Sequence, residues 1–467
     1  MNTHDVIVIG GGTGGYSTAL RAAALGLDVA LVERDKVGGT CLHRGCVPSK
    51  AMLHAAELVD GIAEARERWG VKASLDGVDW PALVATRDDI VARNHRGVEA
   101  HLAHAGVTVL RGSARLTGPR SVRVDGGPAL TARRGIVLAT GSRPRTLPGL
   151  DPDGRRVVTS DDALFAPGLP ASVLVLGGGA IGVEYASFHR SMGAEVTLVE
   201  AADRIVPLED ADVSRHLTRG LRKRGVDVRA GARLLDAEIL GDGVRARVRT
   251  ARGETVAVHA ERLLVAVGRV PVTDGLDLGA AGLGTDGRGH VVPADWDRLE
   301  TAVPGVHVVG DLLPPPSPGL AHASFAEGLL VAETLAGVPS APVDYAAVPR
   351  VTYSAPGTAA VGLSEAEARA RGHEPAVNVM PLTAVAKGMV HGQGGMVKVV
   401  AEAGGGRVLG VHLVGPHVSE MIAESQLIVG WDAEPADVAR HVHAHPTLSE
   451  AVGEAFLTLA GRGLHQQ

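Results

Sequence analysis

Cysteine is the scarcest resource of chemistry in this 467-residue chain, which contains only Cys41 and Cys46. Two thiols exclude a secreted scaffold stapled by several disulfides. Aromatic residues make up only 3% of the chain, so Ala, Val and Leu must fill its cores. No apolar run approaches the roughly 18 residues that a membrane-spanning helix needs. No basic segment followed by a long apolar stretch precedes the strand-like DVIVIGGG near the start. These absences lead us to expect a cytoplasmic protein without a membrane role. Neither sign of charge dominates, and a net charge of −6 argues against nucleic-acid binding as the main activity. The length is enough for two to four domains.

What is present is concentrated in a few places. The two cysteines lie five positions apart in GGTCLHRGCVPSK. A zinc site would need further ligands, and only His43 is close in sequence, so no metal is expected. Two inert thiols or a redox-active disulfide remain, and the surroundings favour the disulfide. Gly38, Gly39 and Gly45 allow tight turns and close approach to a flat ligand. Val47-Pro48-Ser49-Lys50 reads as a helix start, with Pro48 suited to the first turn. Cys46 then lies near the positive end of a helix, which favours its thiolate. Cys41, on the looser side, is the better candidate for exchange with a substrate.

The strongest organisational signal is a repeat. DVIVIGGGTGGYSTALRAAALGLDVALVE returns 167 residues later as SVLVLGGGAIGVEYASFHRSMGAEVTLVE. The shared residues include Gly10 and Gly177, Gly12 and Gly179, Gly15 and Gly182, and Glu33 and Glu200. Each copy reads as strand, G-x-G-x-x-G turn, amphipathic helix and second strand, with an acid 18 residues after the third glycine. That context turns a weak glycine motif into a dinucleotide-binding signature. The glycines bring backbone N–H groups to a pyrophosphate at a helix N-terminus, and each Glu accepts from a ribose 2′-hydroxyl. Glu200 would repel a 2′-phosphate, and Ala201-Ala202-Asp203 supplies no compensating base, although Arg204 is near. NAD is therefore expected in preference to NADP.

With these segments in place, the chain resembles the class I pyridine nucleotide–disulfide oxidoreductases, and among them the dihydrolipoamide dehydrogenases. The resemblance runs through ATGSRPR (139–145), AVGRVP (266–271), VHVVGDL (306–312), LAHASFAEG (320–328), RVTYSAPGTAAVGLSE (350–365) and HAHPTLSEA (443–451). It implies an α/β fold with two Rossmann-like dinucleotide-binding domains and a C-terminal α+β dimerisation domain. The implied boundaries are 1–147 and 272–344 for a split FAD-binding domain, 148–271 for the NAD domain and 345–467 for the interface domain. FAD is expected on Gly10, Gly12, Gly15, Glu33, Gly39, Thr40, Lys50, Thr140, Gly141, Asp311, His322 and Ala323. NAD is expected on Gly177, Gly179, Ile181, Gly182, Glu200 and Gly268. Lys50 and Glu184 match a pair near the flavin N5, and His445 with Glu450 matches an acid–base pair.

The resemblance implies that two electrons pass from dihydrolipoamide through a Cys41–Cys46 disulfide and FAD to NAD. It further implies a homodimer with shared active sites and a dithiol presented by a lipoyl domain of a 2-oxoacid dehydrogenase or glycine cleavage complex. A second function of the same class is NAD(P)H-dependent reduction of another disulfide or a quinone. A function of a different class is a non-catalytic flavoprotein scaffold, against which the joint presence of Cys41, Cys46, His445 and Glu450 argues. The chain departs from its relatives at Val272, often Asn, at Gly357, usually Glu, and at His43-Arg44 between the cysteines.

Overall fold

The repeat is written directly into the backbone of the computed structural model, which describes residues 2–466. The two glycine helices, Thr13–Ala24 and Ala180–Ser191, are both 12 residues long and start 167 positions apart. Each follows a buried strand, Thr3–Ile9 in one copy and Ser172–Leu176 in the other. The chain divides into two compact units.

The first unit runs to Ala51 and adds Asp79–Arg145 and Arg269–Tyr345. Its seven-stranded sheet has the order Thr108–Arg111, Val29–Glu33, Thr3–Ile9, Ala129–Leu138, Ser121–Val124 and Ala114–Gly118, with Val306–Val308 also pairing to Ala129–Leu138. The strands from 108 to the second half of 129–138 pair in parallel, and the last two are an antiparallel extension. Val6, Ile7, Val8, Leu31, Ile136 and Leu138 are fully buried. Such continuous apolar runs mark parallel strands covered on both faces. Helices Thr13–Ala24 and Ala321–Ala336 pack on each other closely enough to need Ala and Gly at the contact.

The second unit comprises Met52–Val78, Thr146–Gly268 and the chain from Ala346 on. Its parallel sheet has the order Asp227–Arg229, Glu195–Val199, Ser172–Leu176, Arg262–Val265 and Val157–Thr159. A three-stranded antiparallel sheet, Arg233–Ile239 to Thr255–Ala260, covers part of its core. The C-terminal segment forms an antiparallel five-stranded sheet in the order Arg350–Thr352, Gly357–Gly362, Val408–Gly415, Met396–Glu402 and Pro375–Pro381. Helices Val418–Gly430 and Glu450–Leu459 bury their apolar sides against it through Met421, Ile422, Val452 and Phe456. Among the described residues, no helix is long and apolar enough to cross a membrane.

In both copies of the repeat, one steric constraint shapes the turn. The first glycine has φ of +106° at Gly10 and +107° at Gly177, a region that L side chains avoid. The third glycine lies so close to the first that a methyl on Gly15 would collide with the Gly10 carbonyl oxygen, and one on Gly182 with that of Gly177. The middle glycines, Gly12 and Gly179, are the helix N-caps, and no protein atom lies within 4 Å of where their Cβ would stand. Gly182→Ala is therefore expected to lower the stability of the second unit by roughly 3 kcal/mol, the upper end of overpacking costs. Gly179→Ala should lose no more than about 1 kcal/mol, the cost of a poorer N-cap. Thermal unfolding of both variants beside the parent checks the difference, and equal losses would remove close approach as the constraint.

Candidate active site

Strand Val29–Glu33 carries Glu33 to the first glycine loop. Its carboxylate accepts from the Gly11 amide at 2.6 Å and the Asp35 amide at 2.8 Å. The Gly38 amide donates to the Gly11 carbonyl at 2.7 Å, and Gly39, at φ +58°, passes so near Gly12 that a Cβ would stand 2.6 Å from its Cα. Gly10 meets the Ala139 carbonyl from the other side. The structure therefore gathers Gly10, Gly12, Gly15, Glu33, Gly39, Thr140 and Gly141 around one helix N-terminus. Thr40 follows Gly39 on the exposed side. Thr140 donates its hydroxyl to the Val272 carbonyl at 2.6 Å, and the Val272 amide donates to the Gly141 carbonyl at 2.8 Å. Position 272 thus acts through its backbone, which explains how Val serves where relatives often have Asn.

Asp311 sits in a single 3-10 turn, Gly310–Leu312. Its carboxylate accepts from the Ser142 hydroxyl, which in turn accepts from the Arg269 guanidinium at 2.7 Å. His322 and Ala323 lie in the first turn of helix Ala321–Ala336, His322 exposed and Ala323 buried.

The cysteine segment differs from the expected loop leading to a helix. Gly39–Arg44 forms a short helix that carries Cys41, and Cys46 is the first residue of the long helix Cys46–Arg68, with Pro48 in its first turn. The two side chains hydrogen-bond to each other, and this contact, ahead of burial, pushes the Cys41 thiol far above its ordinary range; Lys50 pulls the other way. Cys46 is the more exposed in the chain alone. His43 donates Nε2–H to the Val37 carbonyl at 2.9 Å, and His95, on helix Trp80–His104, donates Nδ1–H to the same oxygen at 3.1 Å. Two imidazoles on one carbonyl brace the turn that leads into the cysteines.

The second glycine loop repeats the first almost atom for atom. Glu200 accepts from the Gly178 amide at 2.6 Å and the Ala202 amide at 2.7 Å. Gly177, Gly179, Ile181 and Gly182 form the loop and the first turn of its helix, and Gly268, at φ +108°, follows strand Arg262–Val265. Arg204 is turned away from Glu200, donating to the Pro207 and Glu209 carbonyls at 2.9 and 3.3 Å. Glu184 lies on the same helix, nearly buried, where it accepts from the Tyr353 amide at 2.9 Å.

In the C-terminal segment, His445 Nδ1 lies 2.7 Å from a Glu450 oxygen, and the other oxygen accepts from the Thr447 amide at 2.8 Å. Burial works against the charge of Glu450, but the Thr447 amide and the His445 ring outweigh it and hold the carboxyl below its ordinary range. Glu450 also opens helix Glu450–Leu459, where the helix dipole favours an anion. An ionised carboxylate can only accept, so Nδ1 carries the proton and Nε2 is presented as a base. The His445 side chain is 72% exposed, so that nitrogen is open to a reacting group. His443 instead packs beside Gly453 and pairs with Glu424 at 2.6 Å, which raises its pKa.

Several groups that support these residues have roles that no motif discloses. His95 and Ser142 gain their roles only from tertiary contacts. Lys398 is buried with carboxylates of Asp210, Asp212 and Glu365 at 3.0, 2.8 and 2.9 Å. Its position in an alternating strand gave no sign of three acidic partners.

Residues 4–328 match the model of the pyridine nucleotide-disulphide oxidoreductase family, and residues 348–456 match its dimerisation domain. The chain is 38% identical to a dihydrolipoyl dehydrogenase of Bacillus subtilis, over 99% of each chain. It is 41% identical to that of Thermus scotoductus, over 100% of this chain and 99% of the other. Among solved structures it resembles LpdA of Mycobacterium tuberculosis, with a TM-score of 0.88 and 26% identity over 98% of this chain and 100% of that one. Two glycine loops on parallel sheets, a hydrogen-bonded cysteine pair and a His–Glu pair ahead of the last helix thus coincide with full-length similarity, and the chain belongs to the pyridine nucleotide–disulphide oxidoreductases, a family of FAD- and NAD-dependent enzymes.

Proposed function

We propose that the protein oxidises dihydrolipoyl dithiols to the cyclic disulfide with reduction of NAD. The observation that carries this reading is the His445–Glu450 pair, which leaves an exposed imidazole nitrogen as a base. A base of this kind serves dithiol oxidation, because a thiol must lose a proton before it attacks a disulfide. Curated relatives over the full length carry the name dihydrolipoyl dehydrogenase.

The residues divide the work as follows. In the oxidised enzyme Cys41 and Cys46 are joined. His445 Nε2 takes the proton of one substrate thiol, and the thiolate attacks Cys41 Sγ. The Cys41–Cys46 bond breaks, and its electron pair leaves on Cys46 as a thiolate, favoured by the N-terminus of helix Cys46–Arg68. The second substrate thiol then displaces Cys41, closing the substrate disulfide, and the proton it loses passes to the departing Cys41 thiolate, whose pKa is raised. Glu450 holds the ring and stabilises the imidazolium between these steps.

The glycine loops fit the dinucleotides, because Gly12 and Gly179 leave room at a helix N-terminus where a side chain would fill the cradle. Gly10, Gly12, Gly15, Glu33, Gly39, Thr140, Gly141, Asp311, His322 and Ala323 would hold FAD, with Thr40 and Lys50 beside the cysteines. Gly177, Gly179, Ile181, Gly182, Glu200 and Gly268 would hold NAD, and Lys50 and Glu184 match the family's pair near the flavin N5. FAD and NAD, when bound, supply acceptance of the electron pair and its departure as hydride.

We assign residues 1–147 and 272–344 to the flavin domain, 148–271 to the NAD domain and 345–467 to dimerisation. The dimerisation match supports a homodimer in which His445 serves the partner subunit's Cys41. The dithiol would come from a separate lipoyl domain of a 2-oxoacid dehydrogenase or glycine cleavage complex. A cytoplasmic location suits a chain that keeps cysteine only for redox work.

The primary test is steady-state oxidation of dihydrolipoamide by the purified holoenzyme. NAD should support turnover better than NADP by roughly 10²-fold or more, since Glu200 repels a 2′-phosphate and Arg204 is engaged elsewhere. Bound flavin without dihydrolipoamide turnover would shift the function to another disulfide or a quinone.

The thiols can be told apart by spectroscopy. Cys41→Ser should abolish dithiol turnover but keep the long-wavelength absorption of a thiolate against flavin, and Cys46→Ser should lose that absorption. The opposite pattern would reverse the two roles.

His445→Gln should slow dithiol oxidation by roughly 10²–10⁴-fold while flavin reduction by NADH survives. Co-expressing Cys41→Ser with His445→Gln should restore turnover in mixed dimers, since one site then has both an intact cysteine pair and an intact histidine. No recovery in isolated mixed dimers would mean that each chain uses its own histidine.

A further inference from the structure

We propose that Glu327 is a positioning residue for flavin binding, tying the Asp311 turn, the proline-rich loop that follows it and helix Ala321–Ala336 into one rigid piece. The proposal rests on the reading of Asp311, His322 and Ala323 as flavin contacts. Glu327 is fully buried on that helix, a little over one turn beyond His322 and Ala323. One of its oxygens accepts from the Gly310 amide, next to Asp311, at 2.7 Å. The other accepts from the Ser317 hydroxyl at 2.7 Å and the Tyr345 hydroxyl at 3.1 Å. Gly310 lies in the turn that leads into LLPPPSPGL (312–320) and Ser317 lies beyond its prolines 314–316, so one carboxyl ties that loop back to its start. Ser317, although flanked by prolines, is itself buried.

The same region is fixed to the first glycine helix. A methyl on Gly328 would collide with Ser17 Oγ and stand 2.7 Å from the Gly14 carbonyl oxygen. The helix bearing Glu327 is thereby docked on the helix whose N-terminus would face the FAD pyrophosphate. Through the Gly310 amide, Glu327 connects this docked helix to the turn that holds Asp311.

Burial is costly for an ionised carboxyl, and it pushes Glu327 up despite the three hydrogen bonds, with Asp311 adding to the rise. Burial and Glu327 together push Tyr345 up, so its hydroxyl remains a donor. A group in this setting acts through its hydrogen bonds more than through its charge. An amide can reproduce most of them: its oxygen accepts from Gly310, and its NH2 donates to the two hydroxyls, which turn to accept. Alanine reproduces none and leaves the Gly310 amide without its acceptor.

The experiment compares FAD release from the holoenzymes on dilution, followed by flavin fluorescence and by visible circular dichroism of the bound flavin. Glu327→Ala should release FAD about tenfold faster or more and alter the flavin dichroism, while Glu327→Gln stays within about threefold of the parent. Should Glu327→Ala fail to fold, Ser317→Ala with Tyr345→Phe removes two of the three bonds and should also speed release. Asp311→Asn is run alongside and is expected to weaken FAD binding. If Asp311→Asn weakens FAD binding while folded Glu327→Ala, or the double variant in its place, releases FAD at the parental rate, the positioning role is overturned although Asp311 remains a flavin contact. A lower unfolding temperature with parental release and dichroism also overturns it, since it assigns Glu327 to stability alone. If Asp311→Asn releases FAD at the parental rate, the reading of Asp311 fails and the proposal falls with it.

Discussion

Everything in the two nucleotide loops follows from how closely the chain passes itself between the first and third glycines. With a hydrogen atom as the side chain at Gly15 and Gly182, each helix starts against the carbonyl that ends the preceding strand. That contact aims the helix N-terminus along the carboxyl edge of the sheet, where free amides and the helix dipole attract phosphate. It also brings the Gly11 and Gly178 amides within reach of the acid at the end of the next strand. Glu33 and Glu200 are then held by two amides each, at 2.6 to 2.8 Å, before any ribose is involved. A carboxylate fixed in this way does not need to be ordered by its ligand, so less binding energy is lost on organising the site. The same local solution appears twice, and FAD and NAD, the two cofactors of the family, share the adenosine and pyrophosphate groups that such a loop suits.

The proton chemistry is arranged by a different device, the unequal treatment of paired groups. Within the first unit, Cys41 and Cys46 share a hydrogen bond, which with burial raises the Cys41 pKa, and Cys46 is the first residue of a long helix. Within the second unit, His443 and His445 lie two residues apart and each pairs with a Glu. His443 is packed beside Gly453, whereas His445 is exposed. One motif therefore contains a packed imidazole and an exposed one, and burial separates them more clearly than hydrogen bonding does.

How much of this was legible in the sequence depended on whether a role required a particular residue type locally. The glycine loops, the terminal acids and the cysteine pair could be read because sterics and chemistry limit each position to one or two residues, and spacing does the rest. The His445–Glu450 pair was legible through its motif, and the exposure of His445 was not. The short helix Gly39–Arg44 was missed because two glycines at its start look like a loop; Gly38, at φ +104°, in fact caps it. His95 and Lys398 gave no signal, and Ser142 and Glu327 stand in the ATGSRPR and LAHASFAEG segments without disclosing what they bind. Their partners lie far away in sequence, and a buried Glu or Lys is indistinguishable there from a solvated one. The preference for NAD was argued from Glu200 with Arg204 left open, and only the fold turned Arg204 onto the Pro207 and Glu209 carbonyls.

The departures from the family pattern illustrate the same distinction between backbone and side-chain roles. Val272 is tolerated because its amide and carbonyl, which any residue has, make the bonds to Gly141 and Thr140. Gly357 is different. A Cβ there would stand 3.3 Å from both the Gly415 oxygen and a Val418 methyl, so the sheet and the helix above it are packed to the absence of a side chain. The preceding Pro356 lies against Gly220 of helix Ala211–Lys223, where an added methyl would stand 2.5 Å from the proline ring. Gly220, Pro356 and Gly357 therefore form a set in which each small or rigid residue makes room for the next. A larger residue at 357 would require the neighbouring strand or helix to yield by a few tenths of an ångström, and Pro356 cannot move away from that strain without losing its seat on Gly220. The change at position 357 is thus an adjustment of packing, whereas the change at His43 adds a hydrogen bond to the turn that leads into the cysteines.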